Sequence, residues 1–499
     1  MGENEMTLRA AGRTAAVSAV AALVAAMGCP PTAAAVGQPA IDPSMVPADG
    51  APGPEQPMRQ SNLCASPIAV PQPDVTRPSP GFAMLNIADA WHYSTGNGVA
   101  VAVIDTGVTP NPRLPVVAGG DYITGGDGLS DCDAHGTIVA SVIAAAPRGA
   151  AMPPPMPPTP AFPAAGTAPP RPRGPEAAPR PPAVPDGVSG VAPHATLISI
   201  RQSSRAFEPQ NPGRGDFEAQ RKAGTVATLA RAIVHAANLG AKVINVSVTS
   251  CVSAAEPLDQ GAIGAAVWHA ATVKDAVVVA AAGNEGEDGC AGNDFPGLGD
   301  ARDPRHWNRV KTVSSPSWFS DYVLSVGGVD ATGAPTGNTL AGPWVGAAAP
   351  AVGIVGLSPQ TGSPVNAYPP ARPGEKALEF RGTSFAAAYV SGIAALVRAR
   401  FPELSAHQVI RRIQQTAHNP ARGVDNHVGY GLVDPVAALT FNVPPGPRLP
   451  ADAQTRVVTP PAAPPPPDHR ARNVALVFAG SLAALMLLIA VIARARRAR

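Results

Sequence analysis

Three short segments carry the residue types needed to turn a serine hydroxyl into a nucleophile: Asp105-Thr106-Gly107, His135-Gly136-Thr137 and Gly382-Thr383-Ser384. A serine hydroxyl attacks poorly until an imidazole takes its proton, and the imidazole works best when a carboxylate fixes its tautomer and stabilises the imidazolium. The chemistry this set can perform is acyl transfer, with Ser384 as nucleophile, His135 as base and Asp105 as the carboxylate that orients it. Each motif alone has a blander reading. Asp-Thr-Gly also marks aspartic proteases, but those need a second such carboxylate, and Asp330-Ala331-Thr332-Gly333 departs from the motif. Gly-Thr-Ser is common in turns, so the weight rests on the order and on the elements that hold the three residues.

Those elements are legible. Gly98 to Ile104 is a short apolar run rich in valine, reading as a strand buried on both faces with Asp105 at its carboxyl end, where open parallel sheets place their chemistry. His135 opens the apolar run Ile138 to Ala146, and Ser384 heads Phe385 to Arg400, which starts after a glycine and ends near Pro402. A helix start turns unpaired backbone N–H groups toward a nucleophile, where they can bind an oxyanion. Val277 to Ala282 is another buried strand, ending in Gly283-Asn284.

The chain order Asp, His, Ser is that of subtilisin and differs from those of chymotrypsin and the α/β-hydrolases. The sequence therefore resembles the subtilisin-like serine proteases over roughly residues 81 to 440. The resemblance implies an α/β fold, a parallel sheet flanked by helices, and makes Asn284 the side-chain donor of the oxyanion hole. Gly190 to Ala195 ahead of the strand Thr196 to Arg201 fits the family, and Gly240 to Ser247 resembles the strand that pairs with substrate. Ser247, Val248 and Thr249 are the implied substrate-binding residues. The family usually follows that serine with Leu-Gly-Gly, whereas here Val248-Thr249-Ser250 stand in those places, and Ala388 stands where many subtilases have proline. The mechanism needs no cofactor and no metal. A metal site on Cys132, Asp133 and His135 would consume the base, and no loop shows the carboxylate pattern of a calcium site.

Composition narrows the partners. Charged residues are 14% of the chain and the net charge is +2, so no basic field for nucleic acid exists. Arg9 and Arg13 precede the apolar stretch Ala15 to Met27, followed by Ala33-Ala34-Ala35-Val36, which reads as a signal peptide over residues 1–35. Val474 to Ile492 is uncharged and, at about 28 Å as a helix, long enough for a bilayer core. Arg494, Arg496, Arg497 and Arg499 follow, which predicts a cytoplasmic tail at 494–499 and a protease domain outside the cell membrane.

An exported protein with Cys64, Cys132, Cys251 and Cys290 after its signal is expected to form two disulfides, for which sequence allows three connectivities. Cys251 and Cys290 lie just past two successive parallel-type strands whose carboxyl ends share one sheet edge. We pair them. Cys64 is then left for Cys132, strapping an N-terminal extension, residues 36–80, beside His135. Two proline-rich tracts complete the layout: an inserted loop at 147–187, and a linker at 441–473 ahead of the membrane helix at 474–493. Extended as polyproline II, residues 443–472 would reach roughly 90 Å.

This architecture, together with Phe385-Ala386-Ala387-Ala388-Tyr389-Val390-Ser391-Gly392, is similar to the mycosins, the membrane-anchored subtilases of mycobacterial type VII (ESX) secretion systems. The resemblance implies protein substrates, contact with components of the secretion membrane complex, and an extension that is retained and packs on the domain. A largely structural role in that complex, and a general surface protease, remain open beside it.

Overall fold

Seven strands run parallel in one sheet: β1 (Ala100–Asp105), β2 (Val116–Asp121), β3 (Thr196–Arg201), β4 (Val243–Val246), β5 (Val277–Ala281), β6 (Val323–Val329) and β7 (Val345–Pro350), in the spatial order β7-β6-β5-β4-β1-β3-β2. The computed structural model describes residues 37, 39–148, 186–211, 223–256, 259–287, 289–295, 303–421, 423–451 and 470–497. The inner strands are mostly apolar because both faces are covered. Val101 and Val103 of β1 join the core on one side, while Ala102 and Ile104 join the core on the other.

Helices α1 (His135–Ala144), α4 (Thr383–Arg400) and α5 (Ala406–Gln415) fill the first core, and α2 (Val226–Asn238) and α3 (Gly261–Trp268) fill the second. Nine of the ten residues of α1 and almost all of α4 are buried, which explains why their sequences are small and apolar all round rather than striped. By contrast α2 and α5 start with full capping boxes, Thr225 with Thr228 and Ser405 with Gln408.

β1 lies between β3 and β4, with strands of later sequence on one side and β3 and β2 on the other, so the order reverses at β1. Such a reversal opens a crevice at the carboxyl ends of the strands. Asp105 is the last residue of β1 and stands at that point.

The extension packs on the domain. Met58–Gln60 pairs antiparallel with Phe207–Pro209, Ile68 bridges to Ala367, and Asp49 accepts hydrogen bonds from His235 and Asn238 of α2. The proline-rich insertion expected at 147–187 falls largely outside the described residues, but its two stems are held by one side chain. Arg113 donates to Ala146 O at 2.8 Å and forms a two-pronged pair with Asp186 at 2.7 and 3.0 Å.

The domain runs further than residue 440. Residues 441–451, expected as linker, remain on it: Ser405 Oγ donates to Arg448 O and Gln408 Nε2 to Gly446 O, so these backbone carbonyls take the donors that the capping box of α5 leaves over. Residues 470–497 belong to a separate unit. Within it α6 (Arg470–Arg497) is 28 residues long, and its stretch Phe478–Arg496 is long and apolar enough to cross a membrane. The expected signal peptide, residues 1–35, and residues 452–469 of the expected linker lie outside the described residues.

Candidate active site

The end of β1 and the start of α1 meet at two glycines. A Cβ on Gly136 would sit 2.1 Å from Gly107 O and 3.1 Å from Asp105 Oδ1, and one on Gly107, at φ +100°, would sit 2.2 Å from Ser130 O. Backbone therefore touches backbone, which is possible only without side chains at these places. The contact brings His135, first residue of α1, onto Asp105: Nδ1 lies 2.7 Å from Asp105 Oδ1. Asp105 is fully buried and its Oδ1 also accepts from Thr106 N at 2.6 Å.

The His135 side chain is 25% exposed, with its ring against Phe385 at 5.2 Å between centroids. Burial alone would lower its basicity, but the charge and hydrogen bond of Asp105, with Asp131 behind, outweigh it and raise the pKa. A carboxylate on Nδ1 leaves Nε2 as the nitrogen free to take a proton.

Ser384 lies in the first turn of α4, 8% exposed. Its Oγ donates to Ser247 O at 3.0 Å, and no hydrogen bond joins it to His135 among the described residues. Ser247, the first residue after β4, answers with its own hydroxyl to Ser384 O at 3.2 Å and accepts from Asn245 Nδ2 at 2.8 Å. Thus Ser247 is tied to the expected nucleophile itself. Val248 and Thr249 follow it at the sheet edge, half-buried.

Asn284 stands three residues past β5. Its Oδ1 accepts from Thr383 N at 3.0 Å and Thr383 Oγ1 at 3.1 Å, which fixes the amide so that Nδ2 is the free-facing donor, with only a long 3.4 Å contact to Glu287. Gly382 before it, at φ +136°, brings the head of α4 so close that a Cβ would lie 3.1 Å from Asn284 Nδ2. An amide donor and a helix start thereby flank Ser384, the arrangement that stabilises charge on a tetrahedral oxyanion.

Both cystines are present. Cys64 is bonded to Cys132, three residues before His135, and Cys251 to Cys290. Cys251 lies just past β4, within a small antiparallel pair, Ser250–Ser253 with Thr312–Ser315.

Sequence reasoning misses the side chains that brace the site. Thr106 and Thr137 stand within the motifs without an evident role, and Asp131 belongs to no motif. The available signal is an acidic residue four positions ahead of a helix whose own cap position, Ala134, offers no side-chain acceptor. Among the described residues no group of histidine, cysteine and carboxylates is arranged to hold a metal ion.

Comparison with known proteins shows the family. The subtilase family matches residues 96–431. Mycosin-2 of Mycobacterium tuberculosis is 58% identical over 98% of this chain and 98% of its own. The crystal structure of MycP1 from Mycobacterium smegmatis superposes with a TM-score of 0.72 at 42% identity, covering 85% of this chain and 99% of that one. A chain in the structure of an intact ESX-5 inner membrane complex gives a TM-score of 0.70 at 48% identity, covering 92% of this chain and 99% of that one. A buried carboxylate on an imidazole, a serine at the head of a central helix and an anchored amide beside it occur here in a chain matched end to end by such relatives: it belongs to the subtilase family and, within it, to the mycosins.

Proposed function

We propose that this chain is a membrane-anchored serine endopeptidase of a type VII secretion system. Its substrates are secreted proteins, which it cuts outside the cell membrane. The observation that carries the catalytic reading is the 2.7 Å contact of buried Asp105 with His135 Nδ1, beside a serine at a helix start.

In the proposed reaction Ser384 Oγ turns from Ser247 O toward His135, gives its proton to Nε2 and attacks a peptide carbonyl. Asp105 stabilises the imidazolium that results, and Asn284 Nδ2 with the Ser384 N–H binds the oxyanion. His135 then protonates the leaving amine, and water hydrolyses the acyl-enzyme by the same route. Substrate backbone would lie along residues 247–249, with Thr249 and Ser250 in place of the two glycines of the usual Leu-Gly-Gly making the adjoining pocket bulkier.

Membrane anchoring rests on α6, and the secretion role on the relatives found in ESX complexes. The arginines at 494, 496, 497 and 499 support a cytoplasmic tail and an extracytoplasmic domain. A complex-building role with proteolysis secondary is favoured by one observation: the chain carries a dedicated helix long and apolar enough to anchor it in a membrane.

Complementation separates the two. Ser384→Ala removes one oxygen and should leave packing intact. If cleavage dominates, a strain carrying only this variant should fail to secrete, as the deletion does. Restored secretion at normal protein level would instead assign the chain chiefly to assembly.

A further inference from the structure

We propose that Asp131 is the positioning residue of this site: its buried carboxylate joins the end of β1 to the first turn of α1 and so sets the approach of His135 to Asp105. The proposal rests on the triad reading and deepens it.

Asp131 is 5% exposed and receives four hydrogen bonds. Oδ1 accepts from Thr106 Oγ1 at 2.8 Å and Asp133 N at 3.1 Å, and Oδ2 from Thr137 N at 2.8 Å and Thr137 Oγ1 at 2.7 Å. Thr106 is the residue after Asp105, and Thr137 is two after His135. Thr106 Oγ1 in turn accepts from Gly136 N at 2.9 Å, and Thr137 Oγ1 from Thr109 N at 3.1 Å. The two catalytic segments are thus laced through one carboxylate.

A helix start leaves N–H groups that need acceptors. Ala134, at φ +65°, supplies none, so Asp131 and Thr106 accept from Thr137 and Gly136 in its place. All four groups facing Asp131 are donors. A carboxylate, acceptor at both oxygens, satisfies them; an asparagine would turn an NH2 toward two of them.

The same position makes the charge felt at the base. The titratable and charged groups around it are Asp105 at the end of β1, His135 on α1, Asp133 on its own loop, Arg205 after β3, and Tyr368. Burial pushes the Asp131 carboxyl up to about 7 and the Asp105 charge adds to that, while the donors from Thr137 and Thr106 oppose it. When ionised it favours the imidazolium of His135.

The test follows the rate at which a fluorophosphonate labels Ser384 as a function of pH, using the detergent-solubilised full chain and taking rates on the folded fraction. Asp131→Asn should lower the plateau on the order of tenfold, because a displaced base loses rate steeply. It should also move the midpoint to lower pH by about half a unit, because an anion beside His135 is gone. Thr106→Val cuts the lacing but keeps the charge: the plateau should fall and the midpoint stay, and Thr106→Ser should restore the plateau. A residue that only supports folding would leave the midpoint of the folded fraction unmoved in all variants. Wild-type labelling matched by Asp131→Asn and Thr106→Val in both plateau and midpoint would overturn the proposal and leave the triad standing. No labelling of the wild type would remove the triad reading and the proposal with it.

Discussion

Ser384 Oγ gives its hydrogen bond to the carbonyl oxygen of Ser247, 3.0 Å away, and Ser247 returns one to Ser384 O at 3.2 Å. The carboxyl end of β4 and the head of α4 are therefore locked to each other across the crevice. The proposed nucleophile rests on the strand that is proposed to bind substrate. Substrate entering along residues 247–249 would compete for that carbonyl's surroundings, so attack begins with a turn of the hydroxyl toward His135, consistent with the looseness of catalytic hydrogen bonds in empty sites.

The pH dependence should follow from His135. The base must be neutral to accept the proton, and its pKa is raised from 6.5, so activity should be lost as pH falls through a midpoint above 6.5. Asp131, pushed up to about 7, titrates alongside, so the limb belongs to the coupled pair and should be broader than one protonation. Measuring kcat/KM against pH checks this. A sharp limb centred at or below 6.5 would contradict a base whose imidazolium is favoured by both carboxylates.

Asn284→Ala should lower kcat by roughly 10²–10³-fold with KM little changed, as expected when one oxyanion donor is lost. Steady-state kinetics on a peptide or ester substrate read both constants. Because Asn284 Oδ1 also holds the N–H and hydroxyl of Thr383, a small loss of thermal stability should accompany the change. A variant with wild-type kcat would remove Asn284 from the oxyanion site.

Gly136→Ala tests the contact that builds the dyad. The added carbon would lie 2.1 Å from Gly107 O, so α1 must withdraw from β1 and carry His135 off Asp105. Overpacking of this kind costs about 1–3 kcal/mol of stability. Activity should fall far more, on the order of 10²-fold, because misplacement of about 1 Å is felt in the rate. Circular dichroism with active-site titration separates the two effects, and full activity in a folded variant would show that the close approach is unnecessary.

Much of this site can be read from the chain because its parts are local: β1 with Asp105 at its end, and helix starts at His135 and Ser384, are signals contained within a few residues. The pairing of Cys251 with Cys290 follows from sheet topology, although the short strand Ser250–Ser253 that carries Cys251 does not show, being half-buried and lacking clear alternation. Asp131 escapes because its partners, Thr106 and Thr137, converge only in three dimensions, and an aspartate between Ser130 and Cys132 looks like any solvated loop residue. A boundary at 440 falls too early for a similar reason. Pro and Gly in residues 443–450 suggest a free linker, whereas the carbonyls of Arg448 and Gly446 are what Ser405 and Gln408 bind.

The most direct test of the account is intact-mass and peptide mapping after exposure of the oxidised full chain to a fluorophosphonate, which reacts with an activated serine without needing specific substrate contacts. One adduct on Ser384, absent in His135→Ala, is the predicted result. A folded protein with Cys64 joined to Cys132 that takes no label, or labels equally without His135, would contradict the assignment of Asp105, His135 and Ser384 as a working triad.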